Sequence, residues 1–211
     1  MLEPLNYNRM AGKNLGRLEA LSDGVFAVAM TLLVLDLKAP AAEIIHNERD
    51  LWAALVALAP RFLVYLMSFV TLGIFWLGQQ AQLNLLERSN RDVVWLHIGF
   101  LASVCLIPFS TALLAEFMIY RVALITYWAN IFLLGLLLLM SWRLSRRFNL
   151  AKPDLPPDID SAIYRRIIVA QALYAIGAAL CVFSTYWSIG FIVLLQLNYA
   201  LAPRIGRFGL P

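Results

Sequence analysis

Few residues in this chain could do chemistry inside an apolar environment. Ser22 and Asp23 lie near the start of the first apolar run, Asp36 lies near its end, and His97 lies inside a later one. A carboxylate within a membrane span costs about 2.5 kcal/mol or more on insertion scales, so each such group calls for a partner or a function. Arg17 does not face Asp23, because the six steps from one to the other turn a helix by about 600° and leave the side chains about 240° apart. Asp23 then needs a partner on another helix, or water in a cavity. Three readings are open for it: a structural polar network, a functional network, or a helix-start residue at headgroup depth. Asp23, Asp36 and His97 together would suit a proton relay, the chemistry of a proton-coupled secondary transporter. Against that, the sequence has no inverted repeat and no broken mid-membrane helices. A histidine hydrogen-bonded for structure is the plainer account of His97.

The same run carries a second pattern. Gly24, Val28, Thr31 and Leu35 recur at i, i+4, i+7 and i+11, one stripe of a helix, with Leu32 on its border. The pattern alone favours packing against neighbouring helices, with Gly24 permitting close approach and Thr31 bonding the Ala27 carbonyl. The alternative is a pore face.

Enzyme constellations are missing from the sequence: it has no GxGxxG, Walker A loop, HExxH or paired-cysteine motif. The chain is therefore read as a non-enzyme with no cofactor and no resident metal. Cys105 and Cys181 fall in apolar runs and read as packing residues.

The elements that must position these residues are membrane spans. The chain is 62% hydrophobic and 14% charged, against about 25% charged for a soluble domain. One unit over residues 1–211 is expected, with six spans at roughly 17–37, 62–81, 93–115, 122–142, 165–184 and 187–203. The first run is taken as retained rather than as a signal peptide, since Ser22, Asp23 and Asp36 are poor members of a signal core. Leu51–Ala59 is either an earlier turn of the second helix or a short interfacial helix, and Arg61 belongs near an interface or the protein interior. Pro108 should kink the third span, and Asp160 or Ser161 should cap the fifth.

The net charge of +4 raises nucleic acid as a partner, but the basic residues lie in the loops of one side. Arg9, Lys13, Arg17, Arg88, Arg91, the arginine-rich 143–166 loop, Arg204 and Arg207 share that side, and only Lys38, Arg49 and Arg121 lie on the other. This places both termini in the cytoplasm, with the lipid bilayer rather than nucleic acid as the medium.

The stretch Arg17-x-x-x-Leu21-Ser22-Asp23-Gly-Val-Phe-Ala-x-Ala-x-Thr31-Leu-Leu-x-Leu35 resembles the first helix of the transmembrane protein 175 family of potassium channels. Leu21 stands where the family pattern has Phe. Tyr65-x-x-Ser68-Phe69 with Phe75-Trp76, Leu106-Ile-Pro108-Phe-Ser-Thr-Ala, and Tyr127-x-x-Asn130 resemble its later helices, so the likeness covers about residues 17–135. Gln79 and Gln80 stand where the family commonly has a histidine, and His97 where many relatives have Asn. The resemblance implies an all-α membrane protein with six helices per subunit, whose first helices surround a pore in a homo-oligomer. The prokaryotic relatives are homotetramers. By the same implication Val28, Thr31 and Leu35 line the pore beside Leu32, and Arg17, Ser22, Asp23 and His97 belong to a structural polar network. The implied cargo is potassium, in a bacterial cell (inner) membrane. The chain has no TVGYG-like loop, so an apolar constriction and a hydroxyl ring must replace a carbonyl filter.

Overall fold

Asn14 begins the first helix: its side chain accepts the Arg17 backbone N–H at 3.3 Å, which caps α1, Leu15–Leu32. The structure is a computed structural model and describes residues 14–201. After α1 the chain tightens into a 3-10 turn over Leu33–Asp36. A separate helix α2, Glu48–Ala57, follows, capped by Asn47. Leu58 breaks the chain before α3, Ala59–Asn84, where Pro60 sits in the first turn and loses no helical bond. The earlier turn is thus its own short helix, not part of α3.

Helices α4, Arg91–Cys105, and α5, Ile107–Glu116, are one span broken at Leu106. Pro108 has no N–H to give the Val104 carbonyl, and its ring collides with that turn. Helix α6 runs Arg121–Arg147 and α7 runs Ile159–Ala179, followed by a 3-10 turn at Leu180–Val182. Helix α8 spans Thr185–Leu201. The expected cap of α7 is corrected. The helix starts at Ile159, and the Asp160 carboxylate accepts Trp142 Nε1 at 3.0 Å and Arg146 at 2.9 Å, binding α7 to the end of α6.

Five helical stretches are long and apolar enough to cross a bilayer: Leu15–Asp36, Ala59–Asn84, Arg91–Glu116, Arg121–Arg147 and Ile159–Val182. The chain is a multi-pass membrane protein. Helix α8 has 17 described residues and carries no formal charge.

Helix α1 packs on α3 and α4, α6 packs on α4, α5 and α7, and α8 closes against α3 and α7. Phe26, Leu72, Phe100, Leu114, Tyr127 and Ile131 fill the centre. Outward faces are apolar too, with Phe69, Phe109, Val122 and Leu194 exposed, as lipid requires. Since lipid is as apolar as this core, the hydrophobic effect does little to hold the helices together, and packing and interhelical hydrogen bonds must do it. The centre supplies them. Thr111 Oγ1 donates to Ser68 Oγ at 2.8 Å, Ser68 and Thr71 each lie 3.2 Å from the Tyr127 hydroxyl, and Gln196 Nε2 donates to Thr71 Oγ1 at 2.6 Å. One buried cluster therefore ties α3, α5, α6 and α8.

The two ends differ. At the end where α1 starts, the 84–90 and 147–158 loops pair through an antiparallel bridge between Leu86 and Ala151. Glu87 N–H donates to Leu150 O and Lys152 N–H to Leu85 O, both at 2.9 Å. Asn149 makes the turn into this bridge with φ 52°, a left-handed conformation that Asn tolerates. At the other end Arg61 pairs with Glu116 at 2.6 Å, both half-exposed, and Arg121 donates to the Val182 carbonyl at 3.0 Å. Arg61 thus joins Lys38, Arg49 and Arg121 on the sparsely basic side. Arg9, Lys13, Arg204, Arg207 and the last two residues of the expected final span lie outside the described residues. Cys181 is buried as expected, but Cys105 is exposed at the α4–α5 break.

Candidate pore face and its anchor

Helix α1 presents two unlike faces. Leu18, Ser22, Phe26 and Ala29 are buried, and Leu33 continues the same side into the 3-10 turn. Gly24 lies two residues from Ser22, about 200° around the helix, and begins the other face. There Val28 is 57% exposed, Leu35 67% and Leu32 43%, and Thr31 is exposed as well. Within its own chain this stripe is largely uncovered, so the packing account drawn from pattern alone does not hold for a single subunit. Its detail is corrected too: Thr31 Oγ1 donates to the Val28 carbonyl at 2.8 Å, not to Ala27. That bond uses the hydroxyl hydrogen and leaves the oxygen lone pairs free to meet a cation.

The buried face is held by polar bonds. Ser22 is 0% exposed, and its hydroxyl donates to the Leu18 carbonyl at 2.8 Å. His97 Nε2 lies 2.7 Å from the same oxygen, and Gln79 Nε2 donates to it at 3.1 Å. A hydroxyl has one hydrogen and two lone pairs. With the hydrogen on Leu18, imidazole and amide both donate to Ser22, and Nε2 is the protonated ring nitrogen. Asp23, one residue on, is exposed within the single chain, yet its Oδ1 accepts Trp76 Nε1 and Gln80 Nε2, each at 2.8 Å.

Helix α3 thus meets both Ser22 and Asp23. Sequence reasoning did not assign Trp76, Gln79 and Gln80 this role. The signal was their spacing: i, i+3 and i+4 put an indole N–H and two amides on one helix face. Arg17 stands apart. It is exposed, and among the described residues no bond ties its guanidinium to Ser22, Asp23 or His97. Asp36 is remote as well, thirteen residues or about 20 Å along the helix from Asp23. Asp23, Asp36 and His97 therefore form no contiguous relay. Among the described residues no group of three or more His, Cys, Asp or Glu gathers as a metal site.

Residues 17–108 match the family described as endosomal/lysosomal potassium channel TMEM175. The crystal structure of a lysosomal potassium-selective channel TMEM175 homolog from Chamaesiphon minutus superposes with a TM-score of 0.76 at 30% identity, over 90% of this chain and 98% of that one. A potassium channel of Chamaesiphon minutus is 34% identical over 192 residues, 88% of this chain and 93% of its own length. The chain belongs to the TMEM175 family. An endosomal/lysosomal proton channel TMEM175 of Mus musculus is 33% identical over 112 residues, 51% of this chain but 22% of that protein. The segment matched to TMEM175 contains the whole α1 stripe, Trp76, Gln79, Gln80 and His97, whereas α6, α7 and α8 lie beyond it.

Proposed function

We propose that the chain is one subunit of a homotetrameric potassium channel whose pore is lined by α1. Val28 forms the narrowest apolar ring, Thr31 supplies a ring of hydroxyls, Leu35 stands beyond it and Leu32 borders them. The observation that carries this reading is the division of α1: one face is bonded to α3 and α4, and the stripe from Gly24 to Leu35 is uncovered within the chain. Copies around a closed symmetry axis would cover such a stripe. Potassium comes to this chain from the names of its Chamaesiphon minutus relatives. Selectivity then rests on partial dehydration at the Val28 ring and on the Thr31 oxygens. Valine is a small side chain for a constriction, which suits a modest preference for potassium over sodium.

In this reading α8 is the sixth span, and the channel sits in the cell (inner) membrane with both termini in the cytoplasm. Arg88, Arg91, Arg143, Arg146 and Arg147 at the α1-start end support that orientation. The mouse relative's name raises proton conduction as a second reading. The stripe has no titratable side chain, so protons would need a continuous water wire past Val28. A planar-bilayer recording of the purified protein separates the two. Potassium conduction gives a reversal potential that follows the potassium gradient at constant pH, and one that follows only the pH gradient would reject the channel as proposed.

A further inference from the structure

Helices α3, α6, α7 and α8 enclose a cavity of about 240 Å³, away from the α1 face. It is larger than the roughly 150 Å³ apolar void that takes up benzene in an engineered protein. Its α7 wall is one helical stripe that includes Ile159, Ile163, Arg166, Ala170 and Tyr174. Tyr174 is fifteen steps along α7 from Ile159, about 22 Å of helix. The space is therefore a slot rather than a sphere. Gly78, which has no side chain, leaves room in its α3 wall, while Gln171 of α7 lies over Gly135 on the α6 wall.

Arg166 breaks the apolar lining. It is exposed, and among the described residues it makes no hydrogen bond or ion pair. Asp160, one and a half turns earlier on α7, is already bonded to Arg146 and Trp142. The Tyr199 phenol, also on the wall, lies within the electrostatic reach of Arg166. Arg165 stands beside Arg166, and Arg143, Arg146 and Arg147 end the neighbouring α6. An unneutralised guanidinium, at the basic end of the bundle and over an apolar slot, matches one chemistry: an anion joined to a hydrocarbon chain.

We propose that this slot binds an anionic phospholipid, its phosphate paired with Arg166 and one acyl chain lying along α7 toward Tyr174. A guanidinium meets phosphate oxygens bidentately, and basic pockets between spans suit anionic headgroups.

The test is native mass spectrometry of the detergent-purified protein with equal phosphatidylglycerol and phosphatidylcholine. The wild type should retain phosphatidylglycerol about five-fold more than phosphatidylcholine. Arg166→Gln should abolish that preference with an unchanged melting temperature, since Arg166 holds nothing in the fold. Arg166→Lys should keep part of it. The proposal is overturned if the wild type does not discriminate the two lipids, or if Arg166→Gln discriminates as well as wild type. It also falls if millimolar inorganic phosphate displaces phosphatidylglycerol completely, because the chain would then play no part. None of these readouts needs current, so they stand or fall apart from the channel reading.

Discussion

The Ser22 hydroxyl and the His97 imidazole meet at 2.7 Å, with 0% and 4% of the two residues exposed, and so join α1 to α4. Ser22→Ala would leave His97 Nε2 and Gln79 Nε2 without their acceptor in a dry site. Interhelical bonds in membranes average about 0.6 kcal/mol and reach about 1.7, and a buried unsatisfied donor costs about 1–3. The loss of two should lower stability by about 1–3 kcal/mol, read as a lower melting temperature of the detergent-purified protein. Melting like wild type would mean that the contact contributes nothing.

Asp23 separates charge from hydrogen bonding. Asp23→Asn keeps a carbonyl for Trp76 and Gln80, whereas Asp23→Ala strands both donors. The Asn variant should assemble close to wild type on size-exclusion chromatography and the Ala variant should give clearly less oligomer. Equal yields from both would remove Asp23 from the anchor.

On the proposed pore face, Val28→Ala should raise single-channel current and Val28→Phe should reduce it at least about ten-fold by closing the proposed constriction. Thr31→Val keeps shape and removes the oxygen, so it should move the potassium–sodium reversal potential more than it changes conductance. Normal conduction by Val28→Phe together with an unmoved reversal potential in Thr31→Val would show that this stripe does not line the pore.

Gly135 is required by its neighbour. A Cβ at that position would collide with the Gln171 side chain, whose amide reaches the Ile131 carbonyl at 3.4 Å. Gly135→Ala should push the flexible Gln171 side chain aside and destabilise by about 1 kcal/mol, and Gln171→Ala in the same chain should restore most of it. A double variant no better than Gly135→Ala alone would place the strain elsewhere.

Topology can be read with an impermeant thiol reagent. In a Cys105→Ser, Cys181→Ser background, single cysteines at Asn47 and Asp154 should be labelled from opposite membrane faces. Replacing Cys105 matters, since it is exposed at the α4–α5 break. Labelling of both sites from one face would contradict the proposed orientation.

The fold was legible where apolar length decided it. Run lengths and charged loops located most helix ends to within three residues, but α6 runs five residues past its expected end and α7 starts six residues early, while Pro108 marked the broken span. The Pro60–Arg61 interruption was ambiguous because proline both breaks a helix and begins one, and the structure chose the second. Within the site, period 3.6 marked the stripe from Gly24 to Leu35, and the cost of a buried carboxylate marked Asp23. The partners were not legible, because no local rule says which helix lies beside another. Trp76 and Gln80 have no visible partner until α3 lies against α1. The central hydroxyl cluster was missed for the same reason: Ser68, Thr71, Thr111 and Gln196 are isolated polar residues until four helices bring them together.

A swing of α1 about its bonds at Ser22, with Leu33 sliding in its packed seat, would make the helix a lever. Val28 lies six residues from this fulcrum and Leu35 thirteen, about 9 and 20 Å along the axis. A tilt of about 5° around Ser22 would carry Leu35 through roughly 1.7 Å and Val28 through roughly 0.8 Å. In the proposed pore Leu35 would therefore sweep about twice as far as Val28 for any rigid swing of the helix, and paired spin labels at the two positions would record that ratio.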